Sequence, residues 1–266
     1  MDGIISFGPF MIAIGRALAV VAIWAFLTSA TLIASRTGSN AGRAGWIAVG
    51  VGIVAARLGY VLGNLPAFLL EPWTVLAVWQ GGFSSWAGVA AAALALLVQM
   101  GRRPATALML VALGGVSLTY AAVSAAMEPN HSQLPKGLRL TSLTGKTISL
   151  DTMRGQGFVL NLWATWCPPC RREMPMVIDV ADTSSVPVLL VNQGEGARRV
   201  KAYLSLNGMR EDAVLLDEVQ QVAGATGARA YPTTIFINAQ GEIARVHAGE
   251  ISRAALTSGI RELERK

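Results

Sequence analysis

Four apolar stretches, at about 10–35, 46–65, 83–100 and 105–127, fill the first half of this 266-residue chain. Each approaches the ~20 residues that carry a helix across a bilayer core, where every backbone N–H and C=O must be satisfied within the segment. Four in succession predict an all-α transmembrane bundle of four helices rather than the core of a soluble protein. Charge divides the chain at the same place. Residues 1–128 hold six Arg, no Lys and three acids (Asp2, Glu71 and Glu128), whereas residues 129–266 hold the other 16 basic and 13 acidic residues. The net charge of +6 is scattered and not interleaved with aromatics, so nucleic acid is not an expected partner. The first stretch is longer than a signal-peptide core and no Lys or Arg precedes it, so a cleaved signal is not expected.

Arg36 and Arg43 separate the first two stretches, and Arg102 and Arg103 the last two. The excess of basic residues on cytoplasmic loops places both pairs inside. The N-terminus, the segment 66–82 and everything after Met127 then face outward. Trp73, Trp79, Phe83 and Trp86 around that outer segment fit an interfacial aromatic belt. Arg57 falls near the middle of the second stretch, where an unpaired charge is costly. Two readings stand for it: a lipid or partner site together with Asn64, or an arginine satisfied by carbonyls, by Asn64 or by snorkelling.

The chain holds only two cysteines, in Trp166-Cys167-Pro168-Pro169-Cys170. With no other cysteine to pair with, they read as a dithiol that cycles rather than a staple. A closed zinc site needs four ligands and only His131 and His247 could add to the pair, so no metal and no cofactor is expected. Residues 129–137, with two prolines, read as a linker. Beyond it come a hairpin around Thr144-Gly145, a buried strand over 158–163, a helix from Pro168, a strand over 186–192, helices over 197–206 and 217–226, a hairpin around Gly241 and a helix capped by Ser252. This order indicates an α/β domain over 138–266. Cys167, between strand end and helix start, is the expected exposed nucleophile, and Cys170 one turn on the resolving thiol.

Asn161-Leu162-Trp163-Ala164-Thr165-Trp166-Cys167-Pro168-Pro169-Cys170-Arg171-Arg172-Glu173-Met174-Pro175, followed by Tyr231-Pro232-Thr233-Thr234, resembles the thioredoxin fold, and within it the membrane-tethered TlpA/ResA-type reductases. The resemblance implies a cis Pro232 beside the cysteines and a substrate groove walled by Trp166, Pro168, Pro169, Tyr231 and Thr233. It implies that Glu173 tunes the thiols, Asn161 standing where thioredoxin has a buried aspartate. It implies protein-disulfide substrates of the apocytochrome c or copper-centre type and a DsbD-like membrane electron donor. Catalytic roles fall to Cys167, Cys170, Glu173 and Pro232. The expected place is the bacterial inner membrane, with the domain in the periplasm.

Ala56-Arg57-Leu58-Gly59-Tyr60-Val61-Leu62, Asn64-Leu65-Pro66 and Val78-Trp79-Gln80-Gly81-Gly82-Phe83-Ser84, with Gly8-Pro9 ahead of them, are similar to the first half of prolipoprotein diacylglyceryl transferase. Trp86 stands where that family has a histidine, and Ile14-Gly15 where it has Trp-Tyr. The alternative function is therefore a lipid-binding or lipid-modifying membrane protein with an appended redox domain.

Overall fold

The computed structural model describes residues 4–7, 10–127 and 132–265. The chain forms two compact units, one over Ile5–Val78 with Gly82–Glu128 and one that includes Pro129–Lys266. Gly8-Pro9, Glu128 and His131 lie outside the described residues.

The first unit is helical after a short ribbon of β1 (Ile4–Phe7) and β2 (Phe10–Ala13). Its helices are α1 (Ile14–Thr37), α2 (Ala41–Gly63), the short α3 (Leu65–Leu70), α4 (Ser85–Met100) and α5 (Pro104–Ala126). Three of them, α1, α2 and α5, are long and apolar enough to cross a membrane. The fourth expected span, α4, is shorter, with 16 residues and about 24 Å of helix. Gly81 and Gly82 adopt φ of 78° and 82°, so the apolar stretch starts as a turn and the helix only after Ser84. Gly82 tolerates no side chain: a Cβ there would lie 2.5 Å from the Tyr60 ring. Helices α2 and α4 meet through small residues. A methyl on Gly52 would sit 3.1 Å from the Gly88 carbonyl oxygen, and one on Gly88 3.0 Å from that of Gly52, so any larger residue pushes the two backbones apart. Outward-facing Trp24, Leu62, Val98, Val111 and Leu118 leave the rim of this unit apolar.

Arg57 is buried, and its guanidinium gathers the chain between α3 and α4. Nε donates to Val75 O at 2.9 Å, Nη1 to Gly82 O at 2.9 Å and Nη2 to Thr74 O at 2.6 Å. The rings of Phe68 and Phe83 lie 5.5 and 5.7 Å from the guanidinium carbon. Of the two sequence readings, this geometry is that of an arginine satisfied by carbonyls. The Asn64 amide nitrogen donates to Tyr60 O at 3.0 Å.

The second unit is a seven-stranded sheet in the order β4-β3-β7-β6-β5-β8-β9, formed by β3 (Arg139–Ser142), β4 (Thr147–Ser149), β5 (Phe158–Trp163), β6 (Val188–Gln193), β7 (Val214–Asp217), β8 (Thr233–Ile237) and β9 (Ile243–Ala248). The central three, β7, β6 and β5, run parallel, and the flanking strands are antiparallel. Every residue of β5 is buried, as expected of a strand covered on both faces, and its one polar residue, Asn161, is hydrogen-bonded. Its side chains alternate between two cores. Val159 and Trp163 pack with α6 (Pro168–Thr183), α7 (Ala197–Leu206) and α9 (Arg253–Glu264). Phe158, Leu160 and Leu162 pack on the other face with α8 (Gln221–Thr226).

Two boundaries differ from the sequence reading. The helix expected over 217–226 begins only at Gln221, and Val214–Asp217 is strand β7. The Asp217 carboxylate accepts from the amides of Gln221 and Val222, both at 2.9 Å, so it caps the helix from outside. The expected linker also ends early. Gln133 bridges to Glu242, the Leu134 amide donates to Gly241 O at 2.9 Å, and Leu134 is buried in the second core, so the domain is already folded at residue 132.

Candidate active site

The loop from the end of β5 into α6 carries both cysteines. Pro168 and Pro169 occupy the first two helical positions, where a missing N–H breaks no helical bond. The first amide of α6 able to donate is therefore that of Cys170, and it points at Cys167 Sγ from 3.2 Å with Cys167 as the N-cap. Cys167 and Cys170 are joined as a disulfide. In this oxidised state Cys167 is 2% exposed and Cys170 1%, so exposure does not mark Cys167 as the nucleophile.

The Tyr231-Pro232 peptide is cis. Tyr231 is half-buried and meets the exposed Trp166 edge to face at 6.1 Å. Pro168 is exposed and Pro169 half-buried. Thr233 departs from the expected groove wall: it is buried, and its hydroxyl donates to Ala230 O at 2.7 Å, because it opens β8 inside the sheet.

Glu173 projects from α6 one turn after Cys170 into a closed space and is 3% exposed. Its Oε1 accepts from Asn161 Nδ2 at 2.8 Å and its Oε2 from the Ile251 amide at 2.7 Å. The same Asn161 nitrogen donates to Thr234 Oγ1 at 3.1 Å across the β5–β8 pair. Burial pushes the carboxyl up to about 8, and nearby Glu250 adds to the rise. The two hydrogen bonds and Arg172 favour the anion, but desolvation wins. Glu173 thus holds a proton at neutral pH and can release it just above. Asn161 acts on the carboxyl as a donor.

A second buried carboxylate, missed by the sequence reading, ties down the same loop. Glu195 accepts from the Thr165 amide at 2.7 Å, from Thr165 Oγ1 at 2.6 Å and from Asn192 Nδ2 at 2.8 Å, and pairs with Arg199 Nε at 2.9 Å. Thr165 is two residues before Cys167, so this bond sets where β5 hands over to α6. The available signal is a charged residue two positions after the buried strand β6. Glu195→Ala leaves the buried Thr165 and Asn192 donors without their acceptor, at about 1–3 kcal/mol each. The chemical-denaturation midpoint of the sheet-containing unit is expected to fall accordingly; an unchanged midpoint would show that the loop holds itself.

Residues 132–246 match the AhpC/TSA family and residues 3–126 match prolipoprotein diacylglyceryl transferase. Thiol-disulfide oxidoreductase ResA of Bacillus subtilis is 31% identical over 157 residues, 57% of this chain and 87% of that one. Thiol-disulfide oxidoreductase ResA of Halalkalibacterium halodurans is 37% identical over 113 residues, 41% of this chain and 64% of that one. An exposed lipoprotein thioredoxin of Streptococcus pneumoniae is similar in structure, with a TM-score of 0.42 and 27% identity over 47% of this chain and 98% of that one.

Proposed function

Because this chain belongs to the ResA family of thiol-disulfide oxidoreductases, we propose that it is a membrane-anchored reductase of protein disulfides working outside the cytoplasm. The observation that carries the proposal is the Cys167-Cys170 disulfide at the start of α6 with a protonated Glu173 buried one turn behind it. In the reduced protein the Cys167 thiolate attacks one sulfur of a substrate disulfide. That bond breaks, the leaving sulfur takes up a proton and a mixed disulfide forms on Cys167. Cys170 then loses its proton, to Glu173 in the fraction of molecules whose carboxyl is ionised, and attacks Cys167 Sγ; the second substrate sulfur leaves and takes up a proton. The substrate leaves with two thiols and the protein keeps the disulfide. The next turnover needs two electrons and two protons from outside. The membrane half contains no cysteine and cannot relay them by thiol exchange, so a DsbD-like membrane donor is the partner. Substrates of the apocytochrome c or copper-centre type fit an envelope reductase.

The apolar rim of the helical unit supports anchoring, and the transferase-like half serves in this reading as the anchor. We count α4 as a crossing despite its length, because it packs backbone to backbone on α2 along Gly52 and Gly88. With four crossings, Arg36, Arg43, Arg102 and Arg103 lie inside and the redox domain outside. A reporter active only outside the cytoplasm, fused at the C-terminus, is expected to be active. Activity of a cytoplasm-only reporter there would reverse the orientation.

A further inference from the structure

An open cleft of about 330 Å³ lies between the first turns of α6 and the far end of α7, lined by Pro168, Arg171, Arg172, Tyr203 and Asn207. One wall is Pro168, which follows Cys167 in the chain, so the cleft adjoins the loop that carries the disulfide. The cations around it are not equivalent. Arg172 holds Glu250 through Nε and Nη2, at 3.0 and 2.7 Å. Arg199, one turn before Tyr203, is paired with Glu195. Arg171 has no carboxylate partner among the described residues, and its guanidinium is held over the Tyr203 ring at 5.9 Å. Tyr203 in turn packs on the buried Trp163, at 5.7 Å between ring centres, so the platform under Arg171 belongs to the core. The cleft therefore presents one preorganised, uncompensated guanidinium and the unused edge of a second. That combination fits a carboxylate, which a guanidinium binds through two parallel N–H donors.

We propose that this cleft receives an acidic side chain of the protein whose disulfide Cys167 attacks, and so selects substrates with Asp or Glu close to the reacting cysteine. The inference rests on the reductase reading above. Occupation by an acidic residue places the partner's disulfide over the exposed rim formed by Trp166 and Pro168. It also makes encounter depend on salt, because the attraction is between an exposed cation and an incoming anion.

The test uses the full-length protein in detergent, reduced and then freed of reductant. It is mixed with two disulfide-bridged peptides that differ only by Glu or Gln beside one cysteine, and with neutral hydroxyethyl disulfide. In each reaction two electrons pass from the Cys167 and Cys170 thiols to the substrate, which is followed as thiol released in a single turnover. The Glu peptide is expected to react about tenfold faster than the Gln peptide at low salt, the advantage shrinking as salt rises. Arg171→Gln should bring the ratio of the two rates close to one, and Arg171→Lys should keep part of it. Using the ratio within each variant cancels any effect of residue 171 on the thiols themselves. Equal rates for the two peptides, with hydroxyethyl disulfide still reduced, overturn the docking proposal alone. So does a Glu advantage that survives Arg171→Gln. Failure to reduce hydroxyethyl disulfide removes the reductase reading and this proposal with it.

Discussion

Cys167→Ser in the full-length protein is expected to reduce disulfide exchange to background, and Cys170→Ser to stop after the first half-reaction with substrate held on Cys167. The assignment follows from donors, not from access, since both sulfurs are buried in the disulfide form. A thiolate at an N-cap is stabilised by the amides of the first helical turn. Here Pro168 and Pro169 remove two of these, and the remaining Cys170 amide already points at Cys167 Sγ from 3.2 Å. Cys167 is thus the sulfur that carries negative charge most readily. With fewer donors than a motif without prolines would offer, its thiolate is less favoured and the pair more reducing. Mass spectrometry of the Cys170→Ser protein after exposure to a disulfide-bridged peptide should find the adduct on Cys167, released by added thiol. Faster alkylation of Cys170 than of Cys167 in the reduced wild type would reverse the roles.

What the sequence made legible was local. The two prolines after Cys167 announce a helix start, the run 158–163 announces a strand buried on both faces, and Ser252 announces the cap of α9, where it accepts the Ala255 amide. What it hid depends on partners far along the chain. The Arg57 donors find carbonyls 17 to 25 residues away, so no local pattern chose between its two readings. Glu195 reaches Thr165 across 30 residues, and Asn161 reaches Thr234 across 73. Strand β7 is only four residues long, and the aspartate that ends it also caps the next helix, so the local pattern shows the helix from Asp217 and not the strand. Leu134 looked like linker because prolines frame the segment; only the hairpin around Gly241, more than a hundred residues on, supplies its partner strand.

Glu173→Gln is expected to remove a pH dependence from both stability and thiol reactivity. In the folded protein burial raises this carboxyl to about 8 from its ordinary 4.5. A raised carboxyl contributes stability that is fully present below about 4.5 and is lost as pH climbs through 8, because the unfolded chain gives up its proton first. The full loss over that window is roughly 5 kcal/mol at most. The oxidised wild type should therefore unfold at lower denaturant at pH 8 than at pH 5, and the glutamine variant, which has no proton to lose, should vary much less between them. Glutamine keeps an oxygen for one of the two donors, Asn161 Nδ2 or the Ile251 amide, so the fold is expected to survive. For the reduced protein the observable is alkylation rate against pH. Below about 8 Glu173 is neutral and leaves the thiols alone; above it, its charge opposes a second negative charge on sulfur, and the wild-type profile should show two coupled steps. Glutamine should merge them into one and ease thiolate formation at Cys167. Above about 8, resolution of the mixed disulfide should slow, since an ionised carboxylate that can take the Cys170 proton is lost. These two effects oppose each other in overall turnover, which is why the alkylation profile is the sharper measurement. Superimposable profiles for the two proteins would leave Glu173 as a buried group with no part in the exchange.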